Sequence, residues 1–199
     1  MRKFIMNKIV VGFLLALGCG TVAALPAVAQ SRSLVDVGGE YNYVRTNTPA
    51  DNCGCFNLNG GSGWIGFNFN RSFGIVGEVA SQHASNISSS GADLTLTSYL
   101  AGPRYTWGRS RHVAPYAQVL VGGAHASGSL APGNSGLPGA SNTFGMTAGG
   151  GWDIGLSRHL SLRAFEAAYY LTRFENGTND HQNNLRLGAG LMIRFGESR

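Results

Sequence analysis

Five stretches of the chain carry residue types able to do chemistry. His83-Ala84-Ser85-Asn86 sets a base and a hydroxyl two residues apart. On a strand that spacing puts both on one face, which suits a histidine-activated serine nucleophile. Such a pair needs an acid to orient the histidine, and the nearest, Asp93, opens the following strand. Ser85 and Asn86 also begin a polar connection, which accounts for them without catalysis. His159-Leu160-Ser161 repeats the spacing beside a short turn. Cys53-Gly54-Cys55 has only Asp51 and Asn52 close by, too few ligands for a metal. A strained local disulfide or two free thiols remain. Glu175 to His181 lacks the ligand order of a calcium loop. Glycine-rich 127–139 has no Lys-Ser/Thr after it, which excludes a phosphate loop. The expectation is a protein with no catalytic residue, no metal and no cofactor.

Composition points to an unusual solvent. Glycine supplies 30 of 199 residues, and charged residues only 13% against about 25% in ordinary soluble domains. A surface so poor in charge does not face water everywhere. Arg2, Lys3 and Lys8 precede the apolar run Ile9–Leu17, and Ala27-Val28-Ala29 stands before Gln30. That is the pattern of a cleaved signal peptide over residues 1–29. Leu15 to Cys19 also loosely matches a lipoprotein cleavage site, with Cys19 acylated, although Leu17 is off the preferred position. Either route exports the chain. Without residues 1–29 the formal +5 falls to about +2, because three cations and no acids leave. A basic nucleic-acid surface is therefore not expected.

From residue 34 onward the pattern has period two, with turn signals between segments. Eight strands are predicted, over 34–45, 62–71, 73–83, 93–107, 112–126, 142–155, 160–173 and 185–195. In the last, Leu185, Leu187, Ala189, Leu191, Ile193 and Phe195 share one face, and Arg186, Gly188, Gly190, Met192 and Arg194 the other. Links near 70–72, 108–111 and 157–159 are short. Those near 46–61, 84–92, 127–141 and 174–184 are longer and polar, so short and long links alternate. That is the asymmetry of an antiparallel up-and-down transmembrane barrel, with short periplasmic turns and longer external loops.

Alternation does not say which face points inward, but charge does. Asp36, Glu40, Glu78, Arg104, Asp153, Arg186 and Arg194 lie on the less apolar faces. They are too few to wet an exterior, whereas turned inward they form a lumen charge network that pairs acids with arginines. Phe69, Phe73, Tyr105, Trp107, Trp152 and Phe195 then form an interfacial girdle at the short-turn end, with Tyr43, Tyr99 and Phe174 serving the opposite one. Arg163 and Glu166 have opposite parity. Either a bulge near Ala164–Phe165 resets the register or Arg163 snorkels to the interface.

Through Tyr99-Leu100-Ala101-Gly102-Pro103-Arg104-Tyr105, Pro115 to Gly123 and Gly149-Gly150-Gly151-Trp152-Asp153, the chain over roughly 34–196 resembles the OmpA-type eight-stranded outer-membrane barrels. The likeness is to the short, single-domain members without a peptidoglycan-binding domain, so a cell-wall tether is not implied. The close of the chain, with Gly190, Ile193 and Phe195, looks like the terminal-strand signal read by the barrel-assembly machinery, although Gly196 to Arg199 follow the final aromatic. The His83 to Asn86 run is similar to one that lipid A deacylases carry on a barrel exterior. The resemblance implies an outer-membrane protein in contact with membrane lipid and lipopolysaccharide. Its expected role is envelope integrity or surface interaction, through four external loops with an unknown ligand. A narrow porin-like channel is the second reading and a lipid A-modifying enzyme the third.

Overall fold

Alternating side chains need a sheet with two different environments, and closing the sheet removes its edges. The computed structural model describes residues 34–46, 56–87, 92–108, 112–129, 139–174 and 181–196. They form eight strands: β1 Leu34–Arg45, β2 Asn57–Asn68, β3 Phe73–Ile87, β4 Ala92–Thr106, β5 Val113–Gly128, β6 Gly139–Gly155, β7 Leu160–Thr172 and β8 Gln182–Phe195. Each pairs antiparallel with its neighbours, and β1 pairs with β8 to close the barrel. Residues 1–29, Cys19, and both Cys53 and Cys55 lie outside the described residues.

Several strands run further than the sequence suggests, and always toward the same end. β2 starts at Asn57 rather than 62, and β3 continues to Ile87. β4 opens at Ala92, so the expected long link over 84–92 contracts to residues 88–91 and the strict short–long alternation fails there. β6 and β8 each begin three residues earlier, at Gly139 and Gln182. The added residues include Asn57, Asn59, Ser85, Ser141 and Asn183. Their polarity reads as loop, yet a sheet that leaves the hydrocarbon accepts polar side chains on its wet face. Within β3 a register shift falls between Ala84 and Ile87, and Asn86 takes φ 53°, a left-handed conformation that asparagine tolerates better than most residues.

The outward face is apolar through the middle of the barrel: Val37, Ile65, Phe67, Ile75, Val79, Val119, Val121, Leu191 and Ile193 are all exposed. At the short-turn end Phe69, Phe73, Tyr105, Trp107, Trp152 and Phe195 are exposed as a ring. At the other end Tyr41, Tyr99 and Tyr169 stand outward. Phe174 does not join them; it is 8% exposed and packs inside the barrel with Val44 and Leu58. It continues the inward parity of Tyr170 and Thr172.

Beyond the girdle at the loop end the alternation persists but its sense reverses. Asn57, Asn59, Ser81, His83, Thr95, Thr97, His125 and Asn142 take the outward positions. Leu58, Ala84, Leu96, Ala124 and Ala126 take the buried ones. The lower barrel is built for lipid outside, the upper part for water outside. A charge on the outer face should therefore cost stability by height alone. Ile65→Arg, in the apolar band, should lose about 2–4 kcal/mol, and Thr97→Arg, above it, about 0–1 kcal/mol, read by reversible urea unfolding in bilayers.

Candidate functional site

The lumen, rather than any surface catalytic group, concentrates the charged residues. β7 makes this possible. Its register shifts between Arg163 and Glu166 against β8, and between Trp152 and Asp153 on the β6 side. Ala164 and Phe165 both face outward across the resulting bulge. Arg163 and Glu166, 1% and 0% exposed, therefore both point into the bore. The bulge accounts for the parity conflict, and Arg163 does not snorkel.

These two residues organise the rest. Arg163 donates from Nε to Asp153 Oδ1 at 3.0 Å, and from Nη1 to Glu166 Oε2 at 3.2 Å and Glu40 Oε2 at 3.4 Å. Arg186 holds Glu78 with both terminal nitrogens, at 2.5 and 3.1 Å, and reaches Glu166 Oε1 at 2.8 Å through Nη2. Glu166 also accepts from Tyr116 Oη at 2.5 Å and Gln118 Nε2 at 3.2 Å. It is the shared acceptor between two arginines.

Arg104 joins indirectly. Its Nε donates to Gln118 Oε1 at 2.9 Å. Its guanidinium carbon lies 4.3 Å from the Trp64 ring centre and 5.0 Å from that of Tyr116, while Arg163 lies 4.5 and 4.3 Å from the same two rings. Desolvated guanidinium groups over aromatic faces gain from the ring quadrupole. Space for this stack depends on Gly38: a Cβ there would come within 2.5 Å of the Trp64 ring. At Gly190 a Cβ would meet the Glu40 Cβ at 2.5 Å. The Gly39 carbonyl oxygen would be struck first, so Gly190 lets β8 lie close against β1, while Ile193 and Phe195 point outward.

Of the seven predicted lumen charges, Glu40, Glu78, Asp153 and Arg186 meet in this cluster, and Arg104 lies beside it through Gln118. Asp36 and Arg194 stand apart, opposite each other in the β1–β8 register toward the short-turn end, where Asn68 Nδ2 donates to Asp36 at 2.9 Å. Arg163 and Glu166 are missing from that set because an unbroken strand separates them. Two charges of opposite parity in one strand were the available signal.

Two apolar layers complete the filling. Trp64, Val76, Leu100, Leu120 and Met192 pack together as one cluster. Val44, Leu58, Ala84, Ile87, Leu96, Ala124, Ala126, Tyr170 and Phe174 form a second, toward the loops. Alternation places Trp64, Leu100 and Met192 of the first layer on the inward faces, but it does not announce the second, loop-side layer.

The surface candidates are less developed. His83 and Ser85 are exposed on the outward face, and His83 Nδ1 shares a hydrogen bond with Thr95 Oγ1 at 2.9 Å. The Asp93 carboxylate instead accepts from the Asn86 N–H at 3.2 Å.

The family model for the outer membrane protein beta-barrel domain matches residues 12–192. The chain belongs to this family. No curated protein matches it. Among solved structures, Neisserial surface protein A shares 16% identity, with 81% of this chain and 97% of that one covered and a TM-score of 0.62. Ail, the attachment invasion locus protein of Yersinia pestis, shares 18%, covering 82% and 99%, with a TM-score of 0.58. OprG of Pseudomonas aeruginosa shares 11%, covering 83% and 97%, with a TM-score of 0.53. At such identities the likeness is one of fold. This outer-membrane barrel resides in the cell outer membrane.

Removing one partner from a buried ion pair strands the other charge. Arg186→Ala should cost about 3–5 kcal/mol. The Glu78→Ala/Arg186→Ala double should cost clearly less than the sum of the singles, a coupling measurable by urea unfolding.

Proposed function

We propose that this barrel is a closed, non-enzymatic scaffold that supports envelope integrity or surface interaction through the four links at its loop end. The observation that carries the reading is the filled bore. An eight-stranded barrel has an interior that side chains can fill. Here the Arg163–Glu166–Arg186 network lies in the same bore as an apolar cluster on the loop side. A solute would have to break paired charges and then part packed aliphatic groups. Binding residues concentrate in loops on rigid scaffolds, and this scaffold is rigid where its charges are tied.

The purified protein in planar bilayers should give no ion-selective openings. Regular single-channel steps would replace this reading with the porin-like one. Adhesion or binding by whole cells should fall when protease trims the links at the loop end and stay unchanged when the bore variant Arg104→Gln is used instead.

The lipid-modifying reading has a weaker footing, since His83 is bonded to a threonine and Asp93 is engaged elsewhere. Mass spectra of lipid A from cells making the wild type and His83→Ala should be identical. A change in acyl pattern that depends on His83 would restore an enzyme.

A further inference from the structure

The outer wall of the barrel carries a feature that a lipid-facing surface does not require. On β1 to β5 the apolar band is hollowed into a groove of about 720 Å³, within the range of about 300–1,000 Å³ typical of small-molecule sites. Its floor includes Gly63 and Gly77, and its walls include Val37, Ile65, Val79 and Tyr99. A smooth outer face of valine and isoleucine would serve hydrocarbon equally well.

Directly above the groove the chemistry changes. Ser81 follows Val79 on β3, and Thr97 precedes Tyr99 on β4, each by two residues on the same face. Ser81 stands opposite Thr97, Thr97 opposite His125, and His125 opposite Asn142, forming one ladder across four strands. Ser81 and Thr97 hydroxyls bond at 3.2 Å, and His125 Nδ1 meets Asn142 Oδ1 at 2.8 Å. A second rung sets Asn59 opposite His83, and His83 opposite Thr95. Tyr41 Oη donates to Asn59 at 2.7 Å beside it. All these groups are outward, and none in either rung is a lysine, arginine or carboxylate.

An apolar groove continuous with a hydrogen-bonding ladder that holds no lysine, arginine or carboxylate matches a ligand with a hydrocarbon chain and a hydroxyl-rich head. Its height within the membrane sets hydrocarbon against it, and the loop end places the head in the outer leaflet. The absence of lysine and arginine from the ladder favours sugar hydroxyls over phosphate. We propose that this face holds one outer-leaflet glycolipid, an acyl chain in the Gly63–Gly77 groove and its sugar on the Ser81–Thr97–His125–Asn142 ladder. The inference rests on the outer-membrane placement, and it is independent of the surface role proposed above.

The groove can be filled without disturbing the barrel. A Cβ at Gly77 meets nothing within 4 Å, and one at Gly63 meets only the Gly38 carbonyl at 3.9 Å. The whole barrel is refolded into phosphatidylcholine nanodiscs doped equally with an uncharged glycosyl diacylglycerol and phosphatidylethanolamine. Lipid retained on release into detergent is then read by native mass spectrometry. Wild type should keep about one glycolipid per barrel, and Gly63→Leu/Gly77→Leu should lose about tenfold in retention, equivalent to about 1.4 kcal/mol. Ser81→Ala/Thr97→Ala should keep a lipid but lose the preference between the two. Heat-modifiable gel mobility reports that each variant is folded. Equal retention of both lipids by wild type, or undiminished glycolipid on the groove-filled variant, overturns the proposal. A wild-type dimer that the leucines disrupt also overturns it and gives the groove to a second copy.

Discussion

Charged groups away from water must find each other, and the interior of this barrel is arranged around that demand. Arg163 and Arg186 both reach Glu166, and through it they draw Asp153, Glu40 and Glu78 into one connected set. The members come from β1, β3, β6, β7 and β8, so the network ties together strands that are remote in the chain. Such ion pairs contribute little net energy, because desolvation offsets most of the attraction. Their weight lies in specificity, since a slipped register would turn one of these charges toward hydrocarbon. The β7 bulge follows from the same demand: two charges of opposite parity enter the bore only if the strand takes an extra residue.

Much of the architecture is legible in the sequence. Strand number, antiparallel order and the inward placement of Glu40, Glu78, Asp153 and Arg186 follow from period-two alternation combined with scarce charge. What stayed hidden has physical causes. Asn57, Asn59 and Ser85 look like loop because their side chains favour turns, and only the continuing ladder makes them strand. Phe174 reads as an interfacial ring until parity shows it pointing inward. Arg163 and Glu166 posed the question of the bulge without answering it, because either a register shift or a snorkelling arginine satisfied the pattern. No motif announced the outer groove, which exists because Gly63 and Gly77, on adjacent strands, both lack side chains.

The loop-side filling was hidden for a different reason. Reading each strand as apolar outside and polar inside assumes one solvent along its full length. β2 to β5 cross from one solvent to another, and Leu58, Leu96 and Ala126 are inside because Asn59, Thr97 and His125 are outside. A short length of soluble-type barrel, with an oily centre, is thus spliced in frame onto a membrane-type barrel with an ionic centre. The two parts share strands and hydrogen bonds, but the charge network is buried only in the lower one.

That splice works as a depth gauge. If the protein sinks, hydroxyls and imidazoles enter hydrocarbon; if it rises, valines and isoleucines meet water. Vertical position is therefore set by the covalent order of residues along the strands. A bilayer of another thickness would have to stretch or thin to meet that mark.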